Sequence, residues 1–88
     1  MKCQIEIINK LGLHARASSK FTQLANTFNS EVWVSKKEKR INGKSIMGLM
    51  MLAATCGSII EIETIGNDEK EALNALCELI NNRFEESE

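Results

Sequence analysis

Three segments of the chain alternate apolar and polar side chains at every second position, which is the spacing of a half-buried β-strand. These segments are residues 3–8 (CQIEII), 31–35 (EVWVS) and 59–65 (IIEIETI). The run KKEKR at residues 36–40 is polar throughout and has the character of a hairpin tip, so Ile41 falls in a short return strand. The alternation therefore predicts four strands.

The stretches between these strands repeat apolar side chains at helical spacing. From Ala15 to Phe28 the apolar positions lie on one side of a helix, with serine, threonine and lysine opposite. Ser45 is placed to cap a short helix that runs to about Leu52, and Asp68 is placed to cap the last helix. The acidic tail after that helix (EESE) is expected to be frayed. The apolar stripe of the last helix contains Ala72, Leu73, Leu76, Leu79, Ile80 and Phe84.

The predicted order of elements is β-α-β-β-α-β-α, which indicates an α+β fold in a single domain that covers residues 1–88. Strands that alternate in polarity bury only one face. The helices are therefore expected to cover one side of an antiparallel sheet and to leave the other side in water. Trp33 has the opposite parity to Val32 and Val34, which places it on or near the open face.

Composition and charge narrow the classes of function. Hydrophobic residues make up 43% of the chain and charged residues 26%, as in ordinary globular proteins, and the net charge is −1. This charge gives no reason to expect nucleic acid or an anionic membrane as a partner. No apolar run approaches the roughly 18 residues of a membrane-spanning segment. The N-terminus MKCQIEIINK also lacks the apolar stretch of a signal peptide, so we expect a cytoplasmic protein.

The three cysteines, Cys3, Cys56 and Cys77, are far apart along the chain. An odd number without a C-x-x-C pair argues against a disulfide framework and against a structural zinc site. We expect all three to behave as small apolar residues that are buried or half-buried.

The segment GLHARAS, residues 12–18, contains the only histidine of the chain, His14, immediately before a predicted helix. A helix N-terminus presents unpaired N–H groups and a partial positive charge, which bind anions and disfavour a protonated imidazole. A neutral His14 beside the amides of Ala15, Arg16 and Ala17 can attack phosphorus. The amides and the Arg16 guanidinium can then compensate the phosphoryl oxygens.

Several components of a complete active site are missing around His14. The chain has no second histidine, and the local sequence places no carboxylate beside His14. Co-ligands at useful spacing are also missing, so no metal is expected. INGKS resembles the end of a nucleotide phosphate loop, but Glu38 stands where that loop requires glycine, and no cofactor is expected. A single nucleophile with an anion cradle indicates a residue that other proteins load and unload.

The motif GLHARAS is followed by INGKSIMGLMMLAA and GSIIEIE, and together these motifs resemble the HPr family. HPr proteins are histidine-containing phosphocarriers of the bacterial phosphoenolpyruvate-dependent phosphotransferase system. The resemblance covers essentially the whole chain, and it implies an open-faced β-sandwich with strand order 1-4-2-3 and three helices on one face. It also implies that His14 receives a phosphoryl group on Nδ1 from phosphorylated Enzyme I and passes it to a histidine of a IIA domain. Arg16 matches the arginine that compensates the charge of the phosphohistidine.

The resemblance further implies that the chain is a carrier and not itself an enzyme. We expect a monomer that forms transient complexes, because a fast relay needs weak binding.

The chain departs from the family motif at Ala17, where the family usually has proline. Proline in the first turn of a helix fixes φ and removes an N–H that has no helical partner. Ala17 loses that preorganisation and adds an amide that can face the phosphate. We therefore expect a softer start of the helix with the activity retained.

The short helix after Ser45 is apolar nearly all round, and a domain of this size cannot bury every face of a surface helix. Methionine suits a surface that adapts to several partners. We expect its core-facing side chains to be Leu49, Leu52 and Ala53. We expect its exposed apolar patch to consist of Ile46, Met47 and Met50.

The resemblance gives both Ser45 and this patch a function. It places the patch next to His14 as the docking surface for Enzyme I and IIA domains. In many HPr-like proteins the serine that matches Ser45 is phosphorylated by a dedicated HPr kinase/phosphorylase. A phosphate at a helix N-cap would change the surface charge without unfolding the domain.

Three functions remain open at this point. The first is the phosphocarrier. The second is a regulatory binding module of the same fold, or the carrier of the related nitrogen-regulatory branch. Either would act through protein contacts, at Ser45 and at the exposed patch on the short helix. The third is an RNA-binding α+β domain that uses KKEKR and Trp33, which the net charge and the lack of interleaved aromatic side chains disfavour.

Overall fold

Four strands form one antiparallel sheet in the computed structural model, which describes residues 1–87. The strands are β1 (Lys2–Glu6), β2 (Glu31–Lys36), β3 (Lys39–Asn42) and β4 (Ile59–Ile65). Backbone ladders join β1 to β4, β4 to β2 and β2 to β3, all antiparallel. The order across the sheet is therefore β1-β4-β2-β3, as the resemblance implied.

Three helices connect and follow these strands: α1 (Ala15–Ala25), α2 (Ile46–Leu52) and α3 (Glu69–Asn81). The predicted order β-α-β-β-α-β-α is confirmed. Helix α1 ends at Ala25, before Phe28, and the N–H groups of Thr27 and Phe28 close tighter turns to the carbonyls of Leu24 and Ala25 at 3.0 and 3.2 Å. Within residues 1–87, no helix is both long and apolar enough to cross a membrane.

The inward side chains of the two central strands form the floor of the hydrophobic core. Val32 and Val34 of β2, with Ile60 and Ile62 of β4, are at most 1% exposed. They belong to one buried cluster with side chains of all three helices, including Phe21, Leu49, Leu76 and Ile80. The helices therefore cover one face of the sheet, as the alternation of the strands predicts.

The opposite face of the sheet is open, and Trp33 lies on it half-buried, as predicted. The Arg40 guanidinium stacks on the Trp33 ring, 4.2 Å from its centroid, and the indole N–H donates to Glu31 at 2.9 Å. Arg40 also donates to Glu63 at 2.9 Å, and this bond lowers the pKa of the Glu63 carboxyl. The ring and the indole N–H are thus engaged by neighbouring side chains of the same sheet.

Asp68 stands at the N-cap position of α3, but its side chain makes no capping bond, contrary to the prediction. It accepts instead from the backbone N–H groups of Asn29 and Ser30, both at 2.9 Å, and from the Ser30 hydroxyl. The Ser30 hydroxyl, followed by the Asn29 amide, holds the pKa of Asp68 below its ordinary value. The carboxylate therefore ties the loop before β2 to the start of α3.

Helix α2 buries Leu49 and Leu52, as predicted, but Ala53 is exposed, and its assignment to the core is wrong. The helix ends at Leu52, and Ala53 adopts a left-handed conformation with a φ of 55°. This change of direction turns Ala53 outward and brings Ala54 into the core at 3% exposure.

The cysteines differ in burial. Cys3 and Cys77 are half-buried, as predicted, whereas Cys56 is exposed, and the prediction for Cys56 is wrong. Cys56 lies in the turn before β4, where its thiol is 3.8 Å from the Ile8 carbonyl. Burial, followed by the neighbouring Cys3, raises the pKa of the Cys77 thiol to about 11.

The chain after α3 packs against the domain, so the prediction of a frayed tail is wrong for Glu85 and Glu86. Residues 83–85 have φ values of 55°, 53° and 64°, so they form a left-handed turn after α3. Phe84 is buried, as predicted, but it reaches the core through the turn and not through the stripe of α3. Glu88 of the predicted tail lies outside the described residues.

Candidate functional site

A tight turn sets the position of His14. Gly12 has a φ of 66°, and its N–H donates to the Asn9 carbonyl at 3.2 Å. A Cβ on Gly12 would lie 2.5 Å from the Ala54 carbonyl oxygen, so the turn requires glycine. The Leu13 N–H donates to that same oxygen at 2.9 Å. The segment before His14 is therefore bonded to the segment that follows α2.

His14 is the N-cap residue of α1, with an extended backbone and a side chain that is 27% exposed. Its carbonyl accepts a helical hydrogen bond from the Ser18 N–H at 2.8 Å. The amides of Ala15, Arg16 and Ala17 precede that bond, and they are the N–H groups that a helix leaves without an intrahelical acceptor. The residues of the predicted phosphate cradle thus form the first turn of α1, directly after the imidazole.

The side chains of this first turn point in different directions. Ala15 and Arg16 are exposed, whereas the Ala17 methyl group is fully buried in the core. Arg16 lines an open depression together with His14 and Glu86. Among the described residues, no three His, Cys, Asp or Glu side chains converge as metal ligands would.

Glu86 reaches His14 from the opposite end of the chain. Its Oε2 lies 2.7 Å from His14 Nε2. Burial alone raises the pKa of the Glu86 carboxyl, but hydrogen bonds from His14 and Asn9 outweigh burial and hold the pKa below its ordinary value. An ionised carboxylate has no proton to donate, so in that form Glu86 can only accept hydrogen bonds.

Asn9 joins the turn to the tail. Its side chain is fully buried, and its Nδ2 donates to the Gly12 carbonyl at 2.9 Å and to Glu86 Oε1 at 3.2 Å. Asn9 Oδ1 is buried without a hydrogen-bond partner among residues 1–87. One oxygen of the Glu86 carboxylate thus faces Asn9, and the other faces His14.

Sequence reasoning missed Asn9 and Glu86. Glu86 is separated from Asn9 by 77 positions and from His14 by 72, so no local spacing joins them. The tail holds several glutamates, and nothing in their order selects one of them. For Asn9 a weak signal existed, because asparagine in a turn commonly bonds to nearby backbone groups.

Ser45 and the predicted patch lie on α2. The Ser45 hydroxyl accepts from the Gly48 N–H at 3.1 Å, which confirms the predicted N-cap. The predicted patch residues are exposed, and one further methionine lies with them on the surface. The exposed apolar side chains of α2 are those of Ile46, Met47, Met50 and Met51.

Comparisons with known proteins point to one family. Residues 1–82 match the family described as the PTS HPr component phosphorylation site. Over 88 residues the chain is 67% identical to phosphocarrier protein HPr of Neisseria meningitidis serogroup A, covering 100% of this chain and 99% of that protein. It is 60% identical over 82 residues to phosphocarrier protein HPr of Cupriavidus necator, covering 93% and 92%. The structure is similar to the crystal structure of HPr-C-His from Thermoanaerobacter tengcongensis, with a TM-score of 0.96 and 44% identity over 100% of this chain and 99% of that chain.

Proposed function

Because the chain belongs to the HPr family of phosphocarrier proteins of the bacterial phosphotransferase system, we propose that it carries one phosphoryl group on His14. In this proposal phosphorylated Enzyme I donates the group to Nδ1, and a histidine of a IIA domain accepts it. The protein is then a covalent intermediate and a substrate of phosphotransferases, and it is not itself an enzyme.

The observation that carries the proposal is the position of His14 at the N-cap of α1. A phosphoryl group on the ring would meet amides of the first helical turn, which present positive charge and hydrogen-bond donors. Nε2 is already engaged by Glu86 at 2.7 Å, so Nδ1 is the ring nitrogen left for the phosphoryl group.

Arg16 supplies charge compensation in this proposal. Its side chain is exposed and lines the same depression as His14. A guanidinium offers several donors in a planar fork, which suits the oxygens of a phosphoryl group. The Arg16→Ala variant is expected to take up the phosphoryl group more slowly and to release it to water sooner.

Intact-protein mass spectrometry after incubation with phosphoenolpyruvate and purified Enzyme I tests the acceptor. The wild type is expected to gain a single acid-labile phosphoryl group, and His14→Ala is expected to gain none. The Enzyme I preparation is checked on another carrier. A folded wild type that stays unlabelled would contradict the carrier function and would favour the regulatory binding module.

The exposed side chains Ile46, Met47 and Met50 are proposed to dock Enzyme I and IIA domains. Two observations support this surface: these side chains are 42%, 69% and 42% exposed, and the segment that follows α2 is bonded to the segment before His14. Met47→Glu is expected to raise the KM for Enzyme I. Ile65→Glu, on the open face of the sheet, is the matched control and is expected to leave the KM unchanged. An equal rise in both variants would contradict the docking surface.

Ser45 is proposed as a regulatory phosphorylation site for an HPr kinase/phosphorylase. The residue is half-buried and directly precedes the exposed Ile46 and Met47. A phosphate would add roughly two negative charges beside this apolar surface and would weaken docking through desolvation cost. Ser45→Asp is therefore expected to slow phosphoryl transfer from Enzyme I, whereas Ser45→Ala keeps the wild-type rate. Equal rates for the two variants would contradict the switch.

The family and the single core cluster support three broader proposals. The protein works in the cytoplasm, it acts as a single domain, and it is a monomer that forms transient complexes. Size-exclusion chromatography with light scattering tests the last of these, with the mass of one chain as the expected result.

A further inference from the structure

We propose that Glu86, itself held by Asn9, is a positioning residue that keeps the His14 ring in the tautomer needed for phosphoryl transfer. The inference rests on the proposed function, in which Nδ1 is the phosphoryl acceptor. In this tautomer Nε2 carries the proton and donates it to the carboxylate, so that Nδ1 keeps its lone pair for attack on phosphorus.

Each oxygen of the Glu86 carboxylate has its own partner. Oε2 lies 2.7 Å from His14 Nε2, and Oε1 accepts from Asn9 Nδ2 at 3.2 Å. Asn9 is fully buried and is held in turn by its bond to the Gly12 carbonyl at 2.9 Å. The orientation of the carboxylate is therefore set by the same turn that precedes His14.

The segment that presents Glu86 is built into the domain. Phe84 is fully buried, and Lys20 of α1 donates to the Phe84 carbonyl at 2.8 Å. Lys20 also lies 3.5 Å from the Glu85 carboxylate. Left-handed conformations are unfavourable for residues other than glycine, so these contacts are what hold residues 83–85 in their turn. The carboxylate is thus presented by a packed element of the chain.

The proposed arrangement lets the phosphoryl group move without moving a proton. As the Nδ1–P bond forms, the bond between phosphorus and the donor breaks, and the donor keeps that electron pair. The ring then bears a positive charge, with phosphorus on Nδ1 and the proton still on Nε2, and this charge faces the Glu86 carboxylate. On transfer to the next protein the Nδ1–P electron pair returns to the ring, which leaves as neutral imidazole with the proton unchanged.

The site then divides its tasks between two sides of the imidazole. Arg16 and the first-turn amides of α1 act on the phosphoryl oxygens. Glu86 acts on the ring, as the carboxylate of a catalytic triad orients its histidine and stabilises the imidazolium that forms.

Replacing Glu86 by glutamine gives a specific expectation. Glutamine has one oxygen, and the wild-type carboxylate accepts from both Asn9 and His14. If the oxygen stays with Asn9, the amide nitrogen donates to Nε2 and favours the opposite tautomer. If the oxygen turns to His14, two N–H donors face each other. The Glu86→Gln variant is therefore expected to be more perturbed in its ring tautomer than Glu86→Ala.

Nitrogen-15 NMR of the unphosphorylated protein measures the tautomer directly. The chain has one histidine, so the ring signals need no further assignment. At a pH where the ring is neutral, the wild type is expected to show a protonated Nε2 and an unprotonated Nδ1. Glu86→Ala and Glu86→Gln are expected to shift towards a protonated Nδ1. Glu71→Gln is the matched control, because Glu71 is an exposed carboxylate on α3 outside the segment that presents Glu86, and it is expected to keep the wild-type signals.

The rate of phosphoryl uptake from Enzyme I supplies the second measurement. Loss of the carboxylate that orients a metal-bound histidine typically costs roughly 10–100-fold in affinity or activity, and we expect an effect of this order for His14. We expect roughly a tenfold lower kcat/KM for Glu86→Ala and an unchanged value for Glu71→Gln. Wild-type ring signals in both Glu86 variants, or a protonated Nδ1 in the wild type, would overturn the inference while leaving the carrier function intact. A wild type with the expected tautomer that takes up no phosphoryl group would instead contradict the carrier function.

Discussion

Replacing Gly12 by alanine tests whether close backbone packing sets the turn before His14. Gly12 has a φ of 66°, a conformation that costs an alanine roughly 1–2 kcal/mol. The new Cβ would lie 2.5 Å from the Ala54 carbonyl oxygen and 2.9 Å from the Thr55 Cα. Both atoms belong to the backbone, so relief requires movement of the main chain.

The backbone strain and the close contacts of an alanine at position 12 together amount to a large fraction of the stability of so small a domain. Forcing an extra group into a packed region costs about 1–3 kcal/mol, so Gly12→Ala is expected to lower the free energy of unfolding by about 2–5 kcal/mol. At about 0.05–0.15 kcal/mol per residue, a domain of this length has about 4–13 kcal/mol in total. The variant is therefore expected to have a markedly lower stability.

Equilibrium unfolding in urea measures the effect, with Gly57→Ala as the matched control. Gly57 also has a positive φ, 94°, but a Cβ there would meet nothing within 4 Å. The control carries the backbone cost without the contact, so it is expected to lose about 1–3 kcal/mol. An unchanged m-value in both variants would show that the transition midpoints report stability.

The comparison of the two alanine variants decides whether the reasoning holds. If Gly12→Ala lost no more free energy of unfolding than Gly57→Ala, the close contacts at the turn would carry no energy. The account of how the turn places His14 would then be refuted.

Three further predictions concern other parts of the molecule. Ser45→Ala is expected to lower the free energy of unfolding by about 1 kcal/mol, because it removes the N-cap of α2, and urea unfolding measures this. With a thiol reagent at pH 8, Cys56 is expected to react first because it is exposed, and Cys77 slowly because its pKa is about 11; peptide mass mapping gives the order. In the folded protein the pKa of Asp68 lies below its ordinary value of 3.8. The ionised Asp68 carboxylate therefore stabilises the fold above pH 3.8, and this stabilisation is lost as the pH falls through the pKa of the folded state. Asp68→Asn should therefore show a smaller loss of stability on acidification below pH 3.8 than the wild type, followed by circular dichroism.

Each of these predictions has an outcome that would contradict it. Wild-type stability of Ser45→Ala would mean that the cap contributes nothing to α2. Labelling of Cys77 at the rate of Cys56 would contradict the raised pKa. Identical acid-induced loss of stability in the wild type and Asp68→Asn would mean that the Asp68 hydrogen bonds do not favour the folded state.

Local periodicity was sufficient for most of the fold. The period-two segments correspond to strands, and their parity correctly assigned Val32 and Val34 to the core and Trp33 to the open face. The position of His14 directly before a helix also follows from neighbouring residues, since a turn and the start of an amphipathic repeat are adjacent in sequence. Side-chain periodicity reports local backbone geometry, so it predicts such features well.

Periodicity failed where the chain changes direction. Ala53 continues the apolar repeat of α2, yet its left-handed φ turns it outward. Phe84 also fits the repeat of α3, but it reaches the core through the turn at residues 83–85. A prediction from apolar spacing treats the helix as continuing, because the spacing does not mark the residue at which the helix ends.

The sequence by itself determined the elements, the faces they bury, and the pairing of one histidine with one helix start, because each of these depends on residues close together in the chain. Only the tertiary structure decided the partners of the ionisable side chains. Asp68 bonds to Ser30 and not to its own helix, and Glu86 meets His14 across 72 positions. A carboxylate accepts from whichever donors the folded backbone brings within about 3 Å, and that proximity arises only once the left-handed turn and the sheet have brought distant segments together.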